Sequence, residues 1–333
     1  MKRALVTGGC GFIGSNLSKE LVRIGWQVDI VDDMSNGHLE LVEELNCRFL
    51  PGASFINAYN ATEMGKSRKQ EDVTVIQDDF SSDCMLEHIQ TGVYDVVFHQ
   101  AAVPRVSYSV EHPGETTDIN IGKTVHLFKA CAGSVDKVIF ASSSSVYGGA
   151  DQLPTREDQP KKPKSPYAWQ KSAIEDFAAM CWELYQLDIV CLRYFNVFGP
   201  GQYGDSPYST AVSAWCHSTK NSLECRSDGD GSQSRDMCYI DNVVSANILA
   251  ANHDEPVMGD FFNIACGDRT TNKEILEYFV QNLNSKVLDA DWRPGDVMHT
   301  QADITKAGQV FGYKPTTRFW DGLERTITWW GLK

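Results

Sequence analysis

Tyr167 and Lys171 form a Tyr-x-x-x-Lys pair, which could move a proton to or from a hydroxyl group. Residues four apart on a helix share one face, so the Lys171 ammonium can lower the pKa of the Tyr167 phenol. A phenol with an ordinary pKa of about 10 needs that help to act as a base at neutral pH. Ser165 and Pro166, just before the pair, predict a helix N-cap and first turn. The pair therefore predicts acid–base chemistry at a carbinol carbon.

A glycine-rich turn near the N-terminus predicts a dinucleotide site to accompany that pair. Residues 3–7 indicate a buried strand, and the turn after it leads into a helix. Its glycines are Gly8, Gly11 and Gly14. They allow a tight turn, close helix–sheet packing, and approach of a pyrophosphate to the backbone N–H groups of Phe12 and Ile13. Hydride transfer is the chemistry that a dinucleotide beside an acid–base pair would support.

An acidic residue follows the second predicted strand. The apolar run 28–31 ends in Asp32, and dinucleotide-binding units carry their ribose-binding acid about 20 residues beyond the turn. Asp33 stands beside it, with no arginine nearby. Because carboxylates repel a 2′-phosphate, the sequence predicts NAD rather than NADP.

The composition is that of an acidic globular protein. With 30 basic and 44 acidic side chains the formal net charge is −14, which argues against a nucleic-acid partner. The 10 cysteines include no Cys-x-x-Cys pair and the 8 histidines no His-x-x-x-His arrangement, so we expect no metal site and reduced thiols. A strand follows Met1 almost at once, and no apolar run is long enough for a membrane span. We therefore expect a cytoplasmic protein that does not contact membranes.

The order of elements predicts an α/β fold, a Rossmann-type doubly wound parallel sheet with a smaller C-terminal substrate-binding α/β lobe. Candidate strands cover residues 4–7, 28–31, 74–76, 96–99, 137–142 and 189–194. The polar stretch 46–72 is interpreted as a connection with its own helix or a loose insertion. After the sixth strand, Gly- and Pro-rich segments surround one clear helix near 242–252. We expect an NAD-binding domain at 1–190, with a return segment near 235–255, and a nucleotide-sugar-binding domain at 191–333.

Several motifs are spread over nearly the whole chain. They are the Gly-Gly-Cys-Gly-Phe-Ile-Gly turn at 8–14, Asp-Asp-Met-Ser-Asn-Gly at 32–37, His-Gln-Ala-Ala at 99–102, the serine run with Val-Tyr-Gly at 143–148, the Tyr167–Lys171 pair, Arg-Tyr-Phe-Asn-Val-Phe-Gly-Pro at 193–200, Ser-Arg-Asp at 234–236 and Arg-Pro-Gly-Asp at 293–296. In this combination the chain resembles the extended short-chain dehydrogenase/reductase superfamily, and within it the NAD-dependent nucleotide-sugar 4-epimerases.

The resemblance implies a mechanism. Ser143 would hydrogen-bond the reacting hydroxyl, Tyr167 would act as the base, and Lys171 would bind the nicotinamide ribose while keeping the phenol acidic. The C4 hydroxyl of the sugar would lose its proton to Tyr167 and its hydride to NAD, giving a 4-ketose. The sugar would then turn and receive the hydride on its other face. NAD would be regenerated and would behave as a bound prosthetic group.

The resemblance also implies two sets of binding residues. The expected cofactor contacts are Gly8, Gly11, Phe12, Ile13, Gly14, Asp32, Asn36, Asp79, Phe80, Gln100, Ala101, Ala102, Tyr167, Lys171 and Tyr194. The expected substrate contacts are Ser143, Ser144, Asn196, Arg235, Arg293, Asp296 and Thr300. Asn196 and the two arginines match residues that hold the nucleotide diphosphate, a task suited to planar guanidinium donors. Asp296 matches a ribose-contacting acid.

Three other activities stay open. Ser144 and Ser145 replace the Asp-Glu pair that the family's 4,6-dehydratases carry for water elimination, which disfavours a dehydratase. A UDP-glucuronate 4-epimerase or decarboxylase would need a cation for the sugar carboxylate. Close acid-epimerase relatives carry that cation where this chain has Ser107, although Arg105 is only two residues away. The third alternative is a non-catalytic NAD-binding regulator, against which the intact catalytic residues argue.

The substrate is expected to be a UDP-sugar. Thr300 matches a position beside the C2 substituent, where a small residue leaves room for an acetamido group. This favours UDP-GlcNAc/UDP-GalNAc, with UDP-Glc/UDP-Gal as a companion or replacement. Ser213 stands where relatives commonly have a proline near the uracil, so dTDP stays open. The resemblance also implies a homodimer formed through helices within 112–130 and 167–184.

Overall fold

The computed structural model describes residues 1–52, 73–104, 106–149, 151–205, 210–292 and 297–333. Its strands are β1 Arg3–Thr7, β2 Gln27–Asp32, β3 Cys47–Pro51, β4 Val73–Gln77, β5 Val96–His99, β6 Lys137–Ser143, β7 Asp188–Tyr194, β8 Val197–Phe198, β9 Glu224–Asp228, β10 Ser234–Arg235, β11 Cys238–Tyr239, β12 Phe261–Ile264, β13 Thr270–Thr271 and β14 Lys286–Ala290. All six strands expected from the apolar runs are present.

Helices lie between these strands through most of the chain. The α-helices are α1 Phe12–Arg23, α2 Asp83–Gln90, α3 Val106–Glu111, α4 Pro113–Thr117, α5 Thr124–Cys131, α6 Pro166–Tyr185, α7 Ala211–Lys220, α8 Ile240–Ala251, α9 Asn272–Leu283, α10 Thr305–Phe311 and α11 Phe319–Trp329. A π-helical stretch, Asp118–Lys123, joins α4 to α5. The helix predicted near 242–252 is α8.

The largest sheet has eight strands in the order β12-β7-β6-β5-β1-β2-β4-β3. Adjacent strands from β3 through β1 to β6 run parallel. The chain starts in the middle at β1, extends to one side through β2, and later returns to the other side through β5 and β6. This reversal of direction is the doubly wound arrangement, and it confirms the predicted α/β fold class.

Strand β3 was not expected at the edge of this sheet. β3 lies within the stretch 46–72 that the sequence interprets as a connection, and it pairs with β4 at the edge of the sheet. Its residues are either half-buried or exposed, and Phe49 is half exposed. An edge strand without a buried face leaves little apolar pattern to recognise. The rest of that interpretation, residues 53–72, lies outside the described residues.

The chain divides into two compact units. Unit 1 comprises Met1–Ser142, Ser165–Leu192 and Asn247–Phe261, and unit 2 comprises Ser143–Lys164, Arg193–Ala246 and Phe262–Lys333. The sequence-based division at residue 190 does not anticipate that 143–164 groups with unit 2, or that the return segment starts at Asn247.

Each unit has an apolar core of its own. The core of unit 1 joins strand residues to residues of the flanking helices, and includes Leu5, Val31, Ile76, Val97, Val138, Leu127, Phe128, Ile174 and Ala178. A smaller cluster in unit 2 contains Val146, Tyr147, Phe195, Ala265 and Ala302. Among the described residues, no helix combines the length and apolar character needed to cross a membrane. All ten cysteines are described, and each is a free thiol.

Candidate active site

The turn between β1 and α1 has the geometry of a dinucleotide cradle. Gly8 has a positive φ of 67°, which favours glycine, and its N–H donates to the Val31 carbonyl at 2.8 Å. A Cβ on Gly14 would lie 2.2 Å from the Gly8 oxygen, so only glycine fits there. Helix α1 begins at Phe12, and its N-cap Gly11 offers no capping side chain. The amides of the first helical turn therefore suit a pyrophosphate.

Asp32 ends β2 beside this turn and is almost fully buried. Its carboxylate accepts the N–H of Cys10 at 2.9 Å and the N–H of Met34 at 2.9 Å. Burial raises the pKa of Asp32, and these two backbone donors act against the rise. The carboxylate thus fixes the turn, while each of its oxygens keeps a second lone pair that a ribose hydroxyl could use. Asn36, in the loop after β2, is exposed.

The segment after β5 lies against the glycine turn. A Cβ on Gly8 would come within 2.8 Å of the Ala101 Cα, so the two backbones are in close contact. The Ala101 N–H donates to Thr7 Oγ1 at 3.2 Å, and Ala102 is half-buried. Gln100 Nε2 donates to Asn247 Oδ1 at 3.1 Å, within unit 1. The structure therefore brings the predicted Ala101 and Gly8 together.

Asp79 and Phe80 follow β4 and differ in their surroundings. The Asp79 carboxylate pairs with Lys123 and accepts both the N–H and the hydroxyl of Ser81. Burial alone would raise the pKa of Asp79, but the hydrogen bonds from Lys123 and Ser81 lower it. Phe80 is buried and makes an edge-to-face contact with His99, at 4.9 Å between centroids. The sequence did not predict the ion pair between Lys123 and Asp79, because nothing in the sequence distinguishes Lys123 from the other lysines.

Tyr167 and Lys171 lie one turn apart on α6, as predicted. Ser165 caps the helix by accepting the Ala168 N–H at 3.2 Å, and Pro166 occupies the first turn. The Tyr167 N–H, which has no partner inside the helix, donates to Ser109 Oγ at 3.1 Å. Lys171 Nζ lies 5.8 Å from the centroid of the Tyr167 ring. The side chains of Ser165 and Ser109 thus accept N–H groups from the first turn of α6, and Tyr167 lies within that turn.

Lys171 is buried in an apolar setting. Its side chain is 3% exposed, and Nζ lies 4.6 Å from the centroid of the Phe140 ring. Burial lowers the pKa of Lys171 to about 7, although Cys191 and Glu175 act to raise it. Such a lysine can change its charge near neutral pH, and the hydroxyls of a ligand would favour its charged form.

A polar chain missed by the sequence reasoning connects α6 to the loop after β5. Asn120 accepts the Val103 N–H at 2.8 Å and donates to the Val103 carbonyl at 3.1 Å. It also donates to Gln170 Oε1 at 2.8 Å, and Gln170 donates in turn to Thr116. Gln170 lies between Tyr167 and Lys171 in the sequence, but nothing in its type or spacing signals this contact.

In unit 2, the serine run forms a short turn. Ser143 caps the 3₁₀ helix Ser144–Tyr147 by accepting the Ser145 N–H at 3.2 Å. Ser143 and Ser144 are half-buried, and the Ser145 hydroxyl is buried without a hydrogen-bond partner among the described residues. Neither Ser144 nor Ser145 can serve as an acid or base at neutral pH. The turn therefore offers hydroxyl groups for hydrogen bonding and no carboxylate.

A buried network fixes that turn. Arg193 is fully buried, donates from Nη1 to the Tyr147 hydroxyl at 2.7 Å, and packs 4.7 Å from the centroid of the Tyr147 ring. Tyr147 donates to Asn263 Oδ1 at 2.7 Å, and Asn263 donates to the Thr155 carbonyl at 2.9 Å. A buried arginine that loses its acceptors would be costly, which makes this network a strong constraint on the turn. Tyr194, the next residue, is also buried.

Asn196 and Thr300 are brought together in unit 2. Asn196 Nδ2 donates to Thr300 Oγ1 at 3.1 Å, and the Asp236 N–H donates to the same oxygen at 3.2 Å. The Thr300 N–H donates to the Ser234 carbonyl at 3.0 Å. The Thr300 hydroxyl therefore orients Asn196.

Asp236 organises this region, a role that the sequence did not reveal. It is fully buried and accepts backbone N–H groups from Cys266, Gly267 and Ala302 at 2.9–3.0 Å. Burial raises the pKa of Asp236 to about 7, and the three backbone donors act against that rise. Its neighbour Arg235 is half-buried, with Nη1 donating to the Ser234 and Met298 carbonyls. The predicted Arg293 and Asp296 lie outside the described residues.

The candidate site residues described above form two sets, one in each unit. Unit 1 holds a glycine cradle and a capped helix with a tyrosine–lysine pair, and unit 2 holds polar groups suited to a nucleotide. A family model described as the NAD dependent epimerase/dehydratase family matches residues 4–265. The chain belongs to this family. The protein is accordingly an NAD-dependent enzyme of the epimerase/dehydratase family, and the cradle fits that cofactor.

Relatives in this family act on nucleotide sugars. A solved structure of UDP-N-acetylglucosamine 4-epimerase from Methanobrevibacter ruminantium M1, in complex with UDP-N-acetylmuramic acid, is 35% identical, with a TM-score of 0.85 and coverage of 98% of this chain and 97% of that one. A putative UDP-glucose 4-epimerase from Methanocaldococcus jannaschii is 30% identical, over 98% of this chain and 97% of its own. A UDP-N-acetyl-alpha-D-glucosaminuronate decarboxylase from Bacillus cytotoxicus is 29% identical, over the same shares of both chains. This chain is therefore similar to enzymes of more than one reaction type.

Proposed function

We propose that this enzyme inverts C4 of a UDP-hexose through a 4-keto intermediate, with UDP-GlcNAc/UDP-GalNAc as the preferred pair. The observation that carries the proposal is the Tyr167–Lys171 pair on a doubly capped helix start, within the same unit as the glycine cradle. The relatives named as UDP-sugar 4-epimerases support it.

In the proposed mechanism, Tyr167 takes the proton of the sugar C4 hydroxyl. Lys171, once protonated, stabilises the phenolate electrostatically and binds a ribose hydroxyl of the cofactor. NAD held at the glycine turn beside Asp32 would supply the hydride acceptor for C4 and, once reduced, the hydride donor for the opposite face of the ketose. Tyr167 then gives its proton back to the C4 oxygen, so the enzyme ends each turnover in its starting protonation state.

The residues of unit 2 are proposed to hold the substrate. Ser143 and Ser144 supply hydroxyl groups to the sugar, and Asn196 and Arg235 hold the diphosphate, together with Arg293. Asp296 is proposed to contact the ribose of the nucleotide. Binding through the nucleotide leaves the hexose free to turn between the two hydride transfers, which inversion requires.

Two features favour epimerisation of an N-acetylated sugar. A dehydratase needs an extra acid and base, and Ser144 and Ser145 provide neither. Thr300 is small, and its oxygen accepts hydrogen bonds from Asn196 and the Asp236 N–H, which leaves its O–H available as a donor to a C2 substituent. An acetamido group is therefore proposed to fit beside Thr300.

The proposal is tested by a substrate panel. The purified enzyme, supplied with NAD, is incubated separately with UDP-GlcNAc, UDP-Glc, UDP-GlcA and dTDP-Glc, and products are separated by anion exchange. We expect UDP-GalNAc from the first and slower or equal formation of UDP-Gal from the second. Turnover of UDP-Glc with UDP-GlcNAc left untouched would contradict the role of Thr300. A product of UDP-GlcA alone, or a dehydrated product of dTDP-Glc, would contradict the proposed reaction.

Tyr167→Phe tests the base directly. The ring is kept and only the hydroxyl is lost, so we expect epimerisation to fall by at least about 10²-fold, the lower range for a general base, while UDP binding measured by calorimetry survives. Tyr185→Phe is the matched control, because Tyr185 lies at the far end of α6 against Lys129 and should leave turnover unchanged. Near-normal activity of Tyr167→Phe would refute the assigned base.

A further inference from the structure

His99 is a buried histidine in unit 1 that the mechanism does not use. It ends β5, directly beside Thr7 at the end of β1, and is 1% exposed. Its Nδ1 lies 2.7 Å from Thr7 Oγ1 and its Nε2 lies 2.9 Å from Thr124 Oγ1. Both ring nitrogens therefore have hydroxyl partners, one on the central strand and one at the start of α5.

The ring is enclosed by aromatic side chains. Phe140 stacks on it at 5.9 Å between centroids, while Phe80 and Phe128 make edge-to-face contacts with it at 4.9 and 6.1 Å. Burial lowers the pKa of His99 well below its ordinary value, and the nearby Lys171 lowers it further. The imidazole is therefore neutral, with one nitrogen donating and the other accepting, whichever tautomer is present. Two hydroxyl groups and three aromatic rings thus fix the orientation of the imidazole.

Thr7 connects His99 to the segment that lies against the glycine turn. The hydroxyl that bonds His99 also accepts the Ala101 N–H at 3.2 Å, and the Thr7 carbonyl accepts the Gln100 N–H at 3.2 Å. Ala101 is the residue whose backbone closely approaches Gly8. A displacement of Thr7 Oγ1 would thus release the segment that faces the glycine turn.

We propose that His99 is a positioning residue for NAD binding, acting through the Thr7 hydroxyl to hold the Ala101 backbone against Gly8. It does not touch the cofactor in this proposal. The inference rests on the family's use of NAD and on Ala101 lining the dinucleotide, and it is independent of which sugar the enzyme converts. If the proposed epimerisation were wrong, the positioning role of His99 could still be tested, because the measured quantity is the affinity for NAD.

The test measures NAD affinity of the full-length protein, stripped of cofactor, by calorimetry at a temperature well below unfolding. His99→Phe keeps a flat ring in the aromatic enclosure but loses both hydrogen bonds. Thr7→Val keeps the shape of Thr7 and loses its hydroxyl, and Thr7→Ser restores the hydroxyl. We expect each of the first two variants to raise the dissociation constant for NAD about tenfold, as loss of one to two buried hydrogen bonds implies. Thr7→Ser should stay within about twofold of wild type.

The double variant His99→Phe/Thr7→Val separates positioning from general destabilisation. If His99 acts through Thr7, the double variant should bind NAD no more weakly than the worse single variant, because both changes remove the same link. Phe98→Leu is the control: Phe98 is the preceding core residue of β5, buried on the opposite face against Trp26, so it should lower thermal stability and leave NAD affinity within about twofold.

Three outcomes would overturn the proposal. The first is an unchanged dissociation constant for Thr7→Val. The second is a dissociation constant for NAD that rises as much in Thr7→Ser as in Thr7→Val. The third is a double variant whose loss equals the product of the two single losses, which would show that the two residues act separately. If His99→Phe fails to fold, the Thr7→Val and Thr7→Ser pair still decides the question.

Discussion

Lys171 is a cation placed where water cannot stabilise it. In the cofactor-free protein its pKa is lowered to about 7 by burial beside Phe140. Binding a ribose through its ammonium requires the charged form. Cofactor binding and proton uptake at Lys171 are therefore linked, and the proton must come from solvent when the pH is above that pKa.

This linkage gives a pH dependence with a definite sign. The free protein holds the proton below pH of about 7 and loses it above, while the complex retains it, so NAD affinity should be full at pH 6 and should fall as the pH rises through about 7. The limiting slope is about tenfold in the dissociation constant per pH unit. Titrations of NAD between pH 6 and 9 check this. Lys171→Met should bind more weakly and show a flat profile; a sloping profile in that variant would assign the proton elsewhere.

At the scale of elements, the turn between β1 and α1 tolerates no added atoms. A Cβ on Gly14 would meet the Gly8 oxygen at 2.2 Å and the Gly9 Cα at 2.7 Å, and both of these are backbone atoms that cannot rotate away. By contrast, a Cβ on Gly122, in the π-helical stretch, would meet nothing within 4 Å. The two glycines therefore form a matched pair for substitution by alanine.

Gly14→Ala should weaken NAD binding at least about tenfold and lower the free energy of unfolding by about 1–3 kcal/mol, because the helix must shift away from the turn. Gly122→Ala should leave NAD affinity unchanged and should hold or slightly raise stability, since alanine is the better helix former. Calorimetry and urea unfolding measure both quantities. Equal effects of the two substitutions would show that the cradle is not close-packed.

The elements that the sequence predicted are those whose signal is local. Strands β1, β2 and β4 to β7 are continuous apolar runs because both faces of a parallel sheet are covered, and α6 is marked by Ser165 and Pro166. β3 could not be predicted because its side chains are exposed or half-buried, so it lacks the apolar pattern of a strand covered on both faces. In the same way, the Tyr167–Lys171 pair follows from helical spacing, whereas the contacts of Asp236 and Arg193 join segments that are far apart in sequence.

At the scale of the molecule, three large apolar side chains are exposed along one side of α6, next to the exposed Asp176 and Glu183. Trp169, Met180 and Leu184 are 51%, 48% and 64% exposed, and their spacing places them along one side of the helix. Val106 and Val110 on the neighbouring α3 are also exposed. Apolar surface on adjacent helices is a mark of an interaction site. We propose that this surface contributes to the homodimer that the family resemblance implies through helices within 112–130 and 167–184.

The dimer is tested by charge substitution on that face. The wild-type protein should scatter light as a particle of about twice the 37.1 kDa chain mass. Met180→Glu combined with Leu184→Glu should give monomers, because burying two unpaired carboxylates at an interface is costly. Leu223→Glu, an equally exposed apolar position in unit 2, is the control and should stay dimeric. A wild-type protein that sediments as a monomer would rule the dimer out.

Cys10 lies inside the glycine turn, and its thiol is fully buried with a pKa raised to about 12 by burial and by Asp32. Its reactive thiolate form is therefore almost unpopulated, and alkylating or oxidising agents cannot reach it. Because Asp32 binds its backbone N–H, Cys10 gains access to solvent only when the turn itself opens. The glycine turn thus contains a thiol that we expect to stay unreactive for as long as the turn keeps its native conformation.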